Sequence, residues 1–223
     1  SFVARSWMGL LLGGLALPLL AAVVWLYLDN RWKTAFPFKA IMSTLYLLIA
    51  ITGNMHRTTS GLFMFLALCF FWGGDLLTGL MAGDYYKYGM VVYMVAYLIL
   101  MTAFVVHGIS AKWAGGAAAV FAIPAYGLWA WIRSSVPEGY EEVTLSYFVI
   151  MTVFCALAVG QWKAGGSLLA LIGCFAILAG DLFLARNAVS KNTLNEGLLH
   201  IFHYLGLLTL AFSVYEKGPA RET

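Results

Sequence analysis

Charged residues are scarce in this sequence. Only 10% of its 223 residues are Asp, Glu, Lys or Arg, and 62% are hydrophobic, whereas a soluble domain carries about 25% charged residues. Long uncharged runs in so apolar a chain exclude an ordinary soluble domain and predict a polytopic membrane protein. The runs are too long and too uniformly apolar for the alternating strands of a transmembrane barrel, so we predict an all-α membrane helical bundle.

Other features are missing as well. The sequence has no basic tract, and we therefore expect no nucleic-acid partner. It has three cysteines, Cys69, Cys155 and Cys174, all inside apolar runs, and this odd number gives no disulfide framework. No connection between the apolar runs exceeds about ten residues, which leaves no room for a soluble domain. We predict a single transmembrane domain over residues 1–223.

Apolar runs long enough to cross a bilayer recur about eight times. The predicted helices cover residues 7–28, 38–55, 60–81, 88–106, 113–132, 143–160, 166–186 and 197–215. The first run ends in a belt of aromatic and charged residues from Trp25 to Trp32 and is longer than the apolar core of a signal peptide, so we interpret it as a membrane span. The second helix is placed with its start at Pro37-Phe38-Lys39.

An aspartate lies deep in the third predicted helix, and its surroundings are repeated later in the chain. Gly74-Asp75-Leu76 in the third helix is matched by Gly180-Asp181-Leu182 in the seventh. An ionisable group at membrane depth costs about 3 kcal/mol on insertion scales, so it marks a candidate functional site. The spacing of 106 residues between the aspartates is about half the chain, which fits two four-helix halves in parallel orientation.

Eight helices bring the polar residues of alternate helix ends to the same side of the membrane. The residues that then share one half of the membrane with both aspartates are Lys39, Asn187, His200 and His203. His56 and His107 lie at helix ends on the opposite side, and we interpret them as interface residues. His200 and His203 are three residues apart, so they face one side of the last helix and could bind a metal beside the aspartates. The tyrosines near the fourth helix are interpreted as interfacial and packing residues: Tyr85, Tyr86, Tyr88, Tyr93 and Tyr97.

Short motifs at four places resemble those of the YhhN family of integral membrane proteins. Pro37-Phe38-Lys39 is loosely similar to a Pro-Lys motif that opens the family's second helix. Gly74-Asp75-Leu76-Leu77 resembles its Gly-Asp-x-x-Leu motif in the third helix, and Gly180-Asp181-Leu182 resembles a second motif of this kind in the seventh. His203-Tyr204 falls in the last helix, which is rich in tyrosine in the family.

The characterised members of that family are lysoplasmalogenases, so the resemblance implies a membrane hydrolase that cleaves the vinyl ether bond of lysoplasmalogens to a fatty aldehyde and a glycerophospho-base. Such bonds cleave after protonation at carbon by one carboxylic acid, while an ionised carboxylate stabilises the cation, so we expect Asp75 and Asp181 to be catalytic. The expected substrate-binding residues are Lys39, Asn187, His200, His203 and Tyr204. No metal or other cofactor is expected, and the expected partners are a lysophospholipid substrate and membrane lipids. The family usually has His and Gln where this chain has Tyr97 and Leu207.

Two other functions fit the same residues. His200 and His203 could bind zinc with the aspartates, as in alkaline-ceramidase-like membrane hydrolases, although those have a His-x-x-x-His motif and this chain has one residue fewer between its histidines. Alternatively, two intramembrane aspartates in a repeated bundle could form a proton or cation path in a transporter. The three hypotheses differ in whether the aspartates meet a lipid, a metal ion or a transported cation.

Overall fold

The computed structural model describes residues 2–80, 85–136, 138–190 and 192–216. Over these residues the chain forms eight α-helices and no strand. Their bounds are α1 (Phe2–Leu28), α2 (Trp32–Thr52), α3 (Thr59–Leu80), α4 (Tyr85–His107), α5 (Ala111–Ile132), α6 (Glu141–Lys163), α7 (Leu168–Val189) and α8 (Thr193–Glu216). Each contains a stretch that is long and apolar enough to cross a bilayer, which confirms the all-helical, multi-pass membrane architecture.

The start of α2 differs most from the prediction. The helix begins at Trp32 rather than at residue 38, and it ends at Thr52 rather than at residue 55. The backbone N–H groups of Thr34 and Ala35 donate to the carbonyl of Arg31, so the helix is established before Pro37 is reached. As a consequence Lys39 lies about two turns inside the helix, well below its first turn.

The two halves of the chain pack in the same pattern. α1 contacts α2, α2 contacts α3 and α3 contacts α4, just as α5 contacts α6, α6 contacts α7 and α7 contacts α8. The halves meet where α1 and α2 pack on α8 and where α4 packs on α6, and exchanging the halves interconverts the α2–α8 and α4–α6 contacts. The pattern breaks at α5, whose side chains Val120, Ile123 and Tyr126 are largely exposed on the outside of the bundle.

A group of polar side chains lies inside the apolar core between the halves. Large side chains that are fully buried there include Tyr46, Phe71 and Tyr97. Asp75 and His203 are buried among them, with 2% and 8% of their surfaces exposed. Polar groups at such depth need hydrogen-bond partners, so their positions are set by specific contacts rather than by general packing.

Candidate active site

Asp75 lies at the centre of the polar group. Its Oδ2 accepts hydrogen bonds from the hydroxyls of Ser43, at 2.6 Å, and Tyr46, at 3.3 Å. Its Oδ1 accepts one from the Tyr93 hydroxyl at 2.7 Å and lies 2.9 Å from Nε2 of His203. The partners come from α2, α4 and α8, so this one carboxyl group joins three helices to α3. Contacts to both oxygens offset the cost of burying a carboxyl group in the core.

Asp181 has a different environment. Its Oδ2 accepts a hydrogen bond of 2.7 Å from the Tyr97 hydroxyl, and that hydroxyl lies 3.3 Å from the hydroxyl of Tyr147. Tyr97 is almost fully buried, whereas Asp181 itself is partly exposed. The second carboxyl group is therefore held mainly by phenols, and it can be reached from outside the core.

Each aspartate is bonded by a residue of the other half. Tyr97 follows Asp75 by 22 residues (75 to 97), and His203 follows Asp181 by 22 (181 to 203). His203 nevertheless contacts Asp75, and Tyr97 contacts Asp181. The contacts cross between the halves, which brings both aspartates into one polar group at the interface of the two halves.

The position before each aspartate has no space for a side chain, which accounts for the glycine of the Gly-Asp motif. A Cβ added to Gly74 would lie 2.5 Å from the ring of Tyr93, the residue that bonds Asp75. A Cβ added to Gly180 would lie 3.1 Å from the backbone nitrogen of His203 and 3.2 Å from the carbonyl oxygen of Leu199. Both glycines therefore let the helix that follows approach closely and deliver a side chain to an aspartate.

Lys39 lies next to this polar group on α2. It is four and seven residues before Ser43 and Tyr46, so the three side chains share one face of the helix. The side chain is buried, with 5% of the residue exposed, and its Nζ lies 5.7 Å from the centre of the Tyr27 ring. Among the described residues no carboxylate lies within ion-pair distance of this ammonium group. A buried ammonium group that has no described carboxylate in direct contact, and only the more distant charge of Asp75 nearby, favours an anionic ligand.

Tyr204 and His200 complete the same region on α8. Tyr204 is fully buried, and its hydroxyl has no hydrogen-bond partner among the described residues. Its ring is 5.2 Å from that of His203 and 6.2 Å from that of His200, measured between centroids. The His200 ring in turn packs 4.0 Å from the ring of Tyr27. An unpaired buried hydroxyl costs about 1–3 kcal/mol, so Tyr204 is a strong candidate for contact with a ligand.

The two histidines have separate roles. His203 contacts Asp75, whereas His200 packs against Tyr27, so the pair does not converge on one point. In the described part of the chain no three His, Cys, Asp or Glu side chains are arranged to hold a metal ion. The geometry therefore gives the zinc hypothesis no support. The side chain of Asn187, an expected substrate-binding residue, lies outside the described part of the structure.

Five residues of the site were not predicted from the sequence: Ser43, Tyr46, Tyr93, Tyr97 and Tyr147. Tyr93 and Tyr97 were interpreted as interfacial and packing residues, yet their hydroxyls bond Asp75 and Asp181. They are four residues apart and face the same side of α4, as Ser43 and Tyr46 do on α2. Polar side chains at helical spacing inside an apolar span were the available signal.

The model of the YhhN family matches residues 34–214. The matched range covers most of the chain and contains every residue of the polar group described above. No curated protein and no solved structure matches the chain. The predicted family resemblance is thus confirmed over most of the chain, and such membership is compatible with a membrane hydrolase. The chain belongs to the YhhN family.

Proposed function

We propose that this protein is a membrane hydrolase that cleaves the vinyl ether bond of lysoplasmalogens, releasing a fatty aldehyde and a glycerophospho-base. The observation that carries the proposal is the pair of intramembrane carboxyl groups, Asp75 and Asp181, which are held by crossed contacts from the two halves of the bundle. An ionisable group at such depth is by default a candidate for a functional site. Family membership supports a reaction of this class.

The reaction needs one acid and one stabilising carboxylate. The acid gives its proton to the alkene carbon β to oxygen, the one that carries the hydrocarbon chain, and the electron pair of the double bond forms the new C–H bond. The resulting oxocarbenium ion is stabilised by the ionised carboxylate and attacked at carbon by water, whose proton returns to the acid. In the hemiacetal the bond between carbon and the glycerol oxygen then breaks. The hydroxyl proton passes to the departing oxygen, so one water is consumed and both carboxyl groups end unchanged.

The polar end of the substrate fits the group around Lys39. A lysophospholipid carries a phosphate diester, and the ammonium of Lys39 is a buried cation without a carboxylate partner in the described residues. The Tyr204 hydroxyl, which has no hydrogen-bond partner among the described residues, can donate to an oxygen of the same molecule. Both side chains lie within the region that contains Asp75 and His203, so a phosphate at Lys39 holds the glycerol ether near the aspartates.

The hydrocarbon chain has an apolar route from the membrane. A groove of about 370 Å³ opens on the outside of the bundle between α1 and α8. Its wall includes Val24 and Leu28 of α1 and Ile201 of α8, and the next residue along α8 from this wall is His200. Tyr27, which precedes the wall residue Leu28, packs on His200, and its ring centre lies 5.7 Å from Nζ of Lys39, so the Leu28 end of the groove is the end nearer the polar group.

The test is aldehyde release from a lysoplasmalogen by the detergent-purified protein, with an ester-linked lysolipid in parallel. We expect release only from the vinyl ether, reduced about 100-fold or more by Asp75→Asn and by Asp181→Asn, since general acid catalysis contributes roughly that much. Asp29→Asn is the matched control, because Asp29 is exposed and pairs with Arg31 at the membrane surface. Full activity in both intramembrane variants, or no aldehyde from the wild type, overturns the proposal.

A further inference from the structure

We infer that Asp181 is the proton donor, that Asp75 is the ionised carboxylate, and that Tyr97 positions Asp181 for proton transfer. This assignment rests on the proposed function and adds the division of roles between the aspartates. It follows from the difference between two positions that are equivalent in the two halves of the chain. The equivalent side chains that reach them are His203 and Tyr97, one an imidazole and the other a phenol.

The contacts of Asp75 fit an ionised carboxylate. Ser43, Tyr46 and Tyr93 all direct hydroxyl groups at its oxygens, and His203 places a ring nitrogen 2.9 Å from Oδ1. The three hydroxyl groups donate to both carboxyl oxygens, as an ionised carboxylate requires, and a hydrogen on His203 Nε2 adds a fourth donor.

Asp75 is also inaccessible to a carbon atom of the substrate. Only 2% of the residue is exposed, and each of its oxygens already contacts two side chains. An acid that protonates carbon must touch that carbon, so Asp75 is poorly placed for this step. A fixed negative charge at its position can still stabilise a nearby cation without direct contact.

Asp181 has the opposite properties. Its partly exposed side chain leaves room for a substrate to approach. The titratable groups near it are Tyr97 on α4, Tyr147 and Cys155 on α6 and His203 on α8, but His203 is committed to Asp75. Among the described residues no Lys, Arg or His lies within ion-pair distance of Asp181. A carboxyl group in an apolar site without a paired cation is stable as the neutral acid.

Tyr97 fixes the orientation of the Asp181 carboxyl group. Its hydroxyl lies 2.7 Å from Oδ2 of Asp181, which places the acidic proton on the other oxygen. Because Tyr97 is almost fully buried, its ring cannot turn away and Asp181 keeps one orientation. Tyr97 acts through Asp181 and need not touch the substrate, so it is a positioning residue.

Infrared spectra of the substrate-free wild type and of each Asp→Asn variant, compared as differences, test which carboxyl group holds the proton. We expect the C=O stretching band of a protonated carboxylic acid in the wild type and in Asp75→Asn, and its loss in Asp181→Asn. A band lost in Asp75→Asn but kept in Asp181→Asn, or no such band in the wild type, overturns the assignment. Because this readout needs no substrate, a failure to release aldehyde refutes the proposed function while leaving the protonation result interpretable.

Tyr97→Phe tests the positioning role. We expect the carboxylic acid band to remain but move to higher frequency, because the acid loses a hydrogen bond, and kcat to fall about 10- to 100-fold with little change in KM. Tyr126→Phe is the matched control, since Tyr126 is 74% exposed on the outside of α5. An unchanged band together with an unchanged kcat in Tyr97→Phe overturns the role given to Tyr97. A frequency shift is specific to the hydrogen bond, so general destabilisation does not reproduce it.

Discussion

Gly74 provides the sharpest test of how the site is built. A Cβ at Gly74 would lie 2.5 Å from the Tyr93 ring, whereas a Cβ at the neighbouring Gly73 meets nothing closer than a Val92 carbon at 3.9 Å. Gly74→Ala therefore forces Tyr93 away from Asp75, and Gly73→Ala does not. The two variants change adjacent residues of the same helix by the same atoms, so each is the control for the other.

The magnitude follows from three effects. Overpacking of a filled site costs about 1–3 kcal/mol, and loss of the Tyr93 hydrogen bond to a charged carboxylate costs about 1.5–3 kcal/mol. Alanine in place of glycine returns about 1 kcal/mol through helix propensity. We expect Gly74→Ala to lower the free energy of unfolding by about 2–5 kcal/mol. Gly73→Ala should leave it unchanged or raise it by up to about 1 kcal/mol.

The assay is an unfolding titration in mixed micelles, followed by circular dichroism, with aldehyde release measured on the same samples. A double-mutant cycle with Tyr93→Leu isolates the clash, because Gly74→Ala should cost much less once the ring is absent. Equal stability and equal activity of Gly73→Ala and Gly74→Ala refute the reasoning. So does a full cost of Gly74→Ala in the Tyr93→Leu background.

Three further predictions concern other parts of the structure. Glu216→Ala should lower the free energy of unfolding by about 1 kcal/mol in the same titration, because this carboxylate accepts from the backbone N–H groups of Leu168 and Leu169 at the start of α7; no change contradicts the capping role. Tyr204→Phe should leave the free energy of unfolding equal or higher, since it removes a buried hydroxyl that has no partner among the described residues, and it should raise KM for the lysolipid. A lower free energy of unfolding means that the hydroxyl is already paired. Lys39→Met should raise KM about 10- to 100-fold, as loss of one charge-assisted contact predicts, and an unchanged KM rules out a phosphate at Lys39. The same variant should raise the unfolding temperature, because it removes a buried cation without a carboxylate partner in the described residues.

The helical architecture and the importance of the two aspartates could both be predicted from the sequence. Eight apolar runs predict eight helices because backbone groups in lipid must be satisfied within the helix. Asp75 and Asp181 were recognisable because a carboxyl group is rare at membrane depth. Both inferences use only local sequence, and the helices are confirmed while the catalytic roles remain predictions.

The contacts between helices could not be predicted in the same way. Helical spacing tells which side chains share a face, as Tyr93 and Tyr97 do, but not which helix that face meets. The crossed pairing of His203 with Asp75 depends on how α8 packs against α2 and α3, which no local pattern contains. The early start of α2 does not follow from the sequence, because proline is favoured in the first turn of a helix and Pro37 therefore indicates a later start than the Arg31 carbonyl, which accepts the first helical hydrogen bonds.

The crossed contacts also bear on how the chain is made. Helices enter the membrane in order, so Tyr97 is already present when Asp181 is inserted, whereas Asp75 must wait for His203 on the last helix. Until α8 arrives, Asp75 has only hydroxyl groups from α2 and α4 around it. Arrival of α8 therefore completes the site of Asp75, and a bundle that lacks this helix has its central carboxyl group incompletely paired.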